Sequence, residues 1–480
     1  MKPLVKTLVL LGVLTALRLV VSGMFGLGDA EALYWNYGQH LQFAYLDHPP
    51  LIGLSLAAVD AVFGTSAVSV RLVPIFCFVV TVVFTYLLAA SMWKDERAGW
   101  IAALLVCASP ASLIGGMAAA PDSVLSMFWM MALYTVWESI RRERPGFILP
   151  VAAGLCIGLA FLSKHTGACL AAGVLLTALM HGSYRKAGFW AGLVTAAAVV
   201  SPVVLWNLEH DWIQLRHRLI WSQAGAAFSL RNLGALIGGQ VLYTGPVLIL
   251  FLWALVRLWK RRDEKGPALV VYVSGITLVC TYLLCLWSPV AEPHWPFAGY
   301  LALAAGVPGV IDTGMKTPGR IFKAAIVWSF GMYILAHVFV LTPLLPTLLP
   351  HDDYEPRYDI SNELYGWGAV AEKVRTIAES GEKIASSHYT MCSQLAFHLS
   401  RDDDPSVVCA SDQTDDFDLW NMVPRRQDRI LFVADNRFGG LPQSLLSRIC
   451  RQVSTLEVRR GGRWVRRFRF IRCEPCLNGE

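Results

Sequence analysis

Ten long apolar stretches of this 480-residue chain, each 15 to 27 residues, contain no Asp, Glu, Lys or Arg. They are 72–93, 98–121, 123–137, 145–163, 165–184, 187–208, 232–256, 268–291, 293–311 and 324–350. A run of roughly 20 apolar residues is the length that crosses a bilayer as a helix, the conformation that satisfies its own backbone hydrogen bonds in hydrocarbon. With the segment near 4–24, interrupted only by Lys6 and Arg18, eleven spans are expected. Only 16% of residues are charged, against roughly 25% in soluble domains, which excludes an ordinary soluble globule. The net charge of +6 then reports orientation in a membrane and not nucleic-acid binding.

If the N-terminus is cytoplasmic, the loops at 1–6, 94–97, 141–144, 185–186, 257–265 and 312–323 are inside and hold 17 Lys+Arg against 6 Asp+Glu. The opposite loops hold 5 against 8. This asymmetry places the inner loops in the cytoplasm, and an odd number of spans delivers the chain beyond about residue 346 to the outer side. That tail changes character. Helix-period residues run from Trp367 to Ile377, a strand-like run from Ile430 to Ala434, and a hairpin pattern surrounds Gly461-Gly462. The expected architecture is an all-α polytopic membrane domain over 1–346, with an external loop at 25–70, and a small α/β domain over 347–480.

Seven arginines lie between Arg459 and Arg472. They read first as a strand face protected against edge pairing, and second as a basic surface for anionic headgroups or a phosphorylated acceptor. Five cysteines (Cys392, Cys409, Cys450, Cys473, Cys476) fall in the same tail, enough for two disulfides and one thiol in an oxidising compartment. Spacing leaves their pairing open.

Ionisable groups are costly near a bilayer, so their positions mark function. Here they gather at the outer rim: Asp29, Glu31, Asp47, His48, Asp122, Lys164, His165, Glu209, His210, Asp211, Arg216, Arg218, Glu292 and His294. Pro49-Pro50 stiffens the chain after Asp47 and His48, and the mixture of aromatic and polar residues in the first loop suggests amphipathic helices lying in the interface. A carboxylate at such a rim can act as general base toward a hydroxyl or amine, with a cation holding a phosphate leaving group. Each residue also has a plainer reading. Asp122 follows Pro121 at a helix start and fits an N-terminal cap, Lys164 fits a helix C-terminus, and Trp206, Trp212, Trp221 and Trp295 fit an interfacial aromatic belt.

The run GDAEALYWNYGQHLQFAYLDHPPLIG at 28–53 resembles the first external loop of bacterial glycosyltransferase family 39-like enzymes, relatives of protein O-mannosyltransferases and of the aminoarabinose transferases that modify lipid A. MAAAPDSVL, LSKHTG, SPVVLWNLEHDW, AEPHWPFAGYLAL, LYGWGAVAEKV and DDFDLW follow in the same order. The resemblance implies a GT-C fold and transfer of a sugar from a polyprenyl-phosphate donor at the periplasmic face of the inner membrane. The acceptor would be lipid A or lipopolysaccharide, another envelope glycan, or a protein. It places catalysis on Asp29, Glu31 and Asp122, with Ala30 standing where the family has the first acid of an adjacent pair, so that either Asp29 or Glu31 is the base. It implies His48, Lys164, Arg216 and Arg218 at the donor phosphate and Tyr34, Tyr45, His165, His210, Glu292, His294 and Trp295 around the substrates. His48, replacing a lysine, would make donor binding sensitive to pH near neutrality. Asp47 would be a ligand for a divalent metal cation, partnered by His210 or His294, in a reaction either metal-assisted or metal-independent. The competing class is a polytopic transporter or flippase for a lipid-linked sugar, with the rim charges as gating groups.

Overall fold

Every one of the eleven apolar stretches folds as a helix or as a broken pair of helices in the computed structural model, which describes residues 2–289, 292–311, 316–350, 352–400 and 406–475. Among the described residues, five helices are long and apolar enough to cross a membrane: Pro3–Val21, Ala67–Trp93, Ala187–Glu209, Lys265–Trp287 and Gly319–Leu341. The stretch 232–256 is a pair, Leu230–Thr244 and Val247–Trp259, bent by 102° at Gly245-Pro246. The stretch 98–121 is likewise divided, into Glu96–Cys107 and Pro110–Gly115, because Pro110 lacks the N–H that would continue the first helix. Ile148–Ser163, Gly167–Met180 and Phe297–Gly309 are shorter apolar helices.

The chain divides into two compact units. One comprises Met1–Leu19, Gln42–Ile52 and Arg71–Ile334; the other comprises Val20–Leu41, Gly53–Val70 and Leu335–Glu480. The first is helical throughout, around a core that includes Trp129, Leu133, Leu170, Ala254, Leu258 and Tyr300. Small residues permit its closest packing. A Cβ on Gly154 would lie 2.0 Å from the Gly192 carbonyl oxygen, so only glycine lets these two helix backbones meet. Two of the charges that interrupt apolar helices are buried against local partners. Arg18 is buried with its guanidinium 3.7 Å from the centre of the Phe78 ring. Glu138 is buried and accepts from Arg141 Nε at 2.8 Å and Arg142 Nη2 at 2.9 Å, so the Pro121–Arg141 helix runs on through it.

The second unit is built on a five-stranded mixed sheet: β1 (Lys383–Ser386), β2 (Val407–Cys409), β3 (Ile430–Ala434), β4 (Ile449–Arg460) and β5 (Arg463–Glu474), in the order β2-β1-β3-β5-β4. β1 pairs parallel with β2 and β3, while β5 runs antiparallel to β3 and β4. All five residues of β3 are buried, because its alternating side chains enter two cores. Leu431 and Val433 join Trp367, Leu395, Phe417 and Phe468; Ile430, Phe432 and Ala434 join Ala385, Val408 and Ile471. The β4–β5 turn places Gly461 and Gly462 at φ 57° and 81°, the left-handed pair that a tight hairpin requires.

The arginines of this hairpin do not form a free basic face. Arg466 is buried, donates to Asp435 Oδ2 at 2.8 Å and lies over the rings of Trp367 and Phe468. Arg472 pairs with Glu382 and Glu379, Arg467 and Arg459 pair with Glu457, and Arg460 donates to the Val340 and Thr342 carbonyls. Cys392–Cys409 and Cys450–Cys473 form disulfides, and Cys476 lies outside the described residues.

Helix Asp29–Gln39, expected to lie in the membrane interface, is instead largely buried within the second unit. Trp35 packs edge-on against Phe397 at 5.1 Å between centroids, and Asn36 Nδ2 donates to the Ser393 carbonyl at 3.2 Å. Tyr37 Oη donates to Asp416 Oδ2 at 2.9 Å. The aromatic and polar residues that suggested an interfacial helix are thus satisfied by protein, which removes the reason to lie in headgroups.

Candidate functional site

In the first unit, three loops bring together groups that are far apart in sequence. Lys164 follows the last residue of helix Ile148–Ser163, and its Nζ donates to both oxygens of Asp122 at 2.8 Å. Asp122 stands in the first turn of Pro121–Arg141, after Pro121 at the first helical position, where free backbone amides favour a carboxylate. His294 Nε2 is 3.8 Å from Asp122 Oδ2, and its Nδ1 is 3.5 Å from Glu292 Oε2. That contact to His294 holds the Glu292 carboxyl below its ordinary range.

The segment Gln42–Ile52 carries Asp47 and His48 in a tight loop closed by the Tyr45 N–H donating to the His48 carbonyl at 2.9 Å. Arg218 fastens this loop with two N–H donors on the Asp47 carbonyl, at 3.0 and 2.7 Å, and lies 3.6 Å from the Asp47 carboxylate. His217 Nδ1 lies 3.3 Å from that carboxylate, and the buried Gln214 donates to the Tyr45 carbonyl at 2.7 Å. The turn that aims these residues is strained. Asp211 and Trp212 adopt φ 53° and 58°, a left-handed conformation that non-glycine residues hold only when their surroundings over-determine it.

Electrostatically these groups form one cluster. Burial, followed by Arg218, Lys164, His165 and His294, pushes the His48 imidazole well below its ordinary value. Burial and Arg218 push His165, in the turn between Ile148–Ser163 and Gly167–Met180, down to about 4. Burial and the neighbouring cations thus favour the neutral form of His48. The sign for stability follows. A buried histidine that stays neutral binds fewer protons folded than unfolded, so its contribution is present above about 6.5 and is lost as the pH falls through the unfolded value toward about 4. Thermal unfolding in detergent is expected to show the melting temperature falling between these pH values, with His165→Gln flattening that fall; a melting temperature independent of pH there would contradict the burial of this cluster.

The expected metal set does not assemble. Asp47 faces His217 and Arg218, whereas His210 is stacked on Trp206 with its Nδ1 2.8 Å from the Trp206 carbonyl, and His294 sits with Asp122. Among the described residues no three His, Cys, Asp or Glu side chains converge on one point. A guanidinium beside the same Asp47 oxygen opposes a divalent cation there, so these residues do not fit the metal and no step is assigned to one.

The other sequence-derived residues are distributed as follows. Tyr45 is buried beneath the loop, Arg216 is exposed, and Trp295 is half-buried. Gln214 and His217 escaped sequence reading, since a lone Gln and a lone His on an apolar segment carry no spacing signal. Asp29, Glu31 and Tyr34 belong to the second unit. Asp29 Oδ2 accepts from Arg437 Nη1 at 2.9 Å and Oδ1 from Gln394 Nε2 at 3.1 Å. Glu31 Oε2 accepts from the Gly28 N–H at 2.9 Å, the return half of a capping box. Tyr34 is half-buried and edge-on to Tyr37. The DDFDLW segment serves this helix through Asp416, while burial and Asp418 push Asp415 up to about 7.

Similarity to known proteins covers part of the same site. The family described as dolichyl-phosphate-mannose-protein mannosyltransferase matches residues 47–206. Lipid A galacturonosyltransferase RgtD of Rhizobium johnstonii is 25% identical over 375 residues, 75% of this chain and 77% of the relative. Undecaprenyl phosphate-alpha-4-amino-4-deoxy-L-arabinose arabinosyl transferase of Pseudomonas aeruginosa is 31% identical over 136 residues, only 24% of its own length. The crystal structure of ArnT from Cupriavidus metallidurans in the apo state shares the fold over 97% of both chains, with a TM-score of 0.62 at 14% identity. These are transferases, and the transporter alternative falls away. The fold shared along nearly the whole chain, the family match over residues 47–206 and the lipid A transferase relative together support a multi-pass membrane glycosyltransferase that resembles the family 39-like enzymes and has their GT-C fold.

Proposed function

We propose that this enzyme moves one sugar from a polyprenyl monophosphate to lipid A, or to a closely related envelope glycan or protein, on the periplasmic face of a bacterial inner membrane. The observation that carries the reading is the convergence of Lys164, Arg218, His48, His165 and His294 around Asp122 and Asp47. Such a concentration of donors is what a departing phosphate requires: ammonium and guanidinium neutralise it, and neutral imidazoles hydrogen-bond to it. In this reading the acceptor oxygen attacks the anomeric carbon as its bond to phosphate breaks, with inversion. A first-loop carboxylate, Asp29 with Glu31 assisting, takes the acceptor proton. Asp122 holds Lys164 until the donor arrives.

The names of the relatives support the substrate classes. One is a galacturonosyltransferase for lipid A, another an arabinosyl transferase using an undecaprenyl phosphate sugar, and ArnT was also crystallised bound to undecaprenyl phosphate. Loop charge supports an N-terminus in the cytoplasm, eleven spans, and a periplasmic domain over 347–480. A reporter active only in the periplasm, fused after residue 480, reads the orientation; a silent fusion beside an active cytoplasmic reporter overturns it. Mass spectrometry of lipid A, core oligosaccharide and envelope proteins tests the activity. A deletion strain is expected to lose one hexuronic-acid-sized or aminopentose-sized increment that the wild-type gene restores. An unchanged envelope with the lipid-linked sugar still present would refute the proposal.

A further inference from the structure

The carboxylate assigned as base is gripped by side chains from the opposite end of the chain. Asp29 is only 11% exposed at its side chain, and both of its oxygens are engaged, by Gln394 and by Arg437. Gln394 sits in the middle of helix Tyr389–Leu399, and its amide nitrogen also donates to the Leu27 carbonyl at 2.8 Å. One side chain thereby pins both the turn that precedes the helix and the acid that begins it. Arg437 is itself held. Its Nε donates to Asp435 Oδ2 at 3.0 Å, and Asp435 Oδ1 accepts the backbone N–H of Arg437 and of Phe438, both at 2.8 Å. The buried Arg466 closes the chain on Asp435.

We propose that Arg437 and Gln394 are positioning residues of the transfer reaction, fixing the rotamer of Asp29 so that its carboxylate meets the acceptor proton. The inference rests on the reading of Asp29 as base. An aspartate in the first turn of a helix needs no such partners, because free backbone amides already satisfy it. A buried sequence of alternating charges is a costly way to anchor a helix, and a misplacement of about 1 Å at a reacting group costs on the order of 100-fold in rate. Arg437 also keeps a buried Nη2 without an acceptor among the described residues. A purely structural ion pair gains nothing from that burden.

The test uses membrane vesicles from deletion cells that express the full-length protein, which carry their own donor and acceptor, with product followed by mass spectrometry. Arg437→Ala is expected to lower the transfer rate about 30-fold per folded molecule, with Arg437→Lys intermediate. Free guanidinium ion at sub-denaturing concentration is expected to restore much of the loss in Arg437→Ala and nothing in Asp29→Asn. Gln394→Leu, which leaves the Arg437–Asp435–Arg466 chain untouched, is expected to lose about 5-fold and serves if Arg437→Ala does not fold. Wild-type rates in both variants, or losses matched by lost folded protein with no guanidinium rescue, would overturn the proposal. If Asp29→Asn itself transfers at the wild-type rate, the assignment of the base has failed. If Asp29→Asn is inactive while Arg437→Ala and Gln394→Leu are normal, only the positioning role has failed.

Discussion

Asparagine at position 29 is expected to reduce turnover by about 100- to 10,000-fold, the range that a positioned general base contributes. The substitution conserves size and retains an oxygen acceptor for Arg437, so the helix Asp29–Gln39 keeps its place against Phe397 and Ser393. The effect therefore falls on the chemical step. Folded protein recovered in detergent and the KM for the lipid donor are expected to match wild type. Glu31→Gln provides the comparison, because glutamine can still accept from the Gly28 N–H and complete the capping box. A loss of no more than a few-fold is expected there. The reverse pattern, with Glu31→Gln inactive and Asp29→Asn near normal, would exchange the two roles.

Methionine at position 164 is expected to lower kcat/KM for the lipid donor by about 100- to 1,000-fold, as removal of a preorganised donor at a developing charge does. Lys164 is 12% exposed and holds both oxygens of Asp122, so the substitution removes a cation from the phosphate site and also leaves a carboxylate there uncompensated. Both changes repel an anionic leaving group. Asp122→Asn in the same background is expected to relieve part of the defect by removing that negative charge. Kinetics with the purified donor provide the measurement. A Lys164→Met enzyme within about 3-fold of wild type would mean that Lys164 merely caps its helix, and the cation cluster would lose its role.

What could be read from sequence is what short-range physics controls. Apolar runs must become helices in lipid whatever surrounds them, so the helices were visible, although among the described residues only five, or six with the pair bent at Gly245-Pro246, are long and apolar enough to cross a membrane where eleven spans were expected. The hairpin at Gly461-Gly462 was equally legible, because two consecutive left-handed residues select glycine and the flanking alternation sets the strands. Trp367–Ile377 and Ile430–Ala434 appear with the boundaries their periodicities suggest. The charge-poor spans and acid-bearing rim also located the polar groups in which function was sought.

Pairing was a different matter, since it depends on contacts that no local pattern encodes. Arg218 reaches Asp47 across 171 residues and Arg437 reaches Asp29 across 408. Neither link has a period or a motif, and so the arginine row was open to reading as a protected strand face or as a basic surface, while its pairing with Asp435, Glu457 and Glu382 could not be foreseen. Asp47 was expected to ligate a metal because the family resemblance implied it; the guanidinium that occupies its neighbourhood comes from Arg218, in a distant segment that follows the strained Asp211-Trp212 turn. By itself the sequence determined the helices, the sheet hairpin and the kinds of charge at the rim, because hydration and backbone geometry act over a few residues. Which charge meets which was decided by the tertiary structure alone, because Coulombic and hydrogen-bond partners are chosen by distance in space.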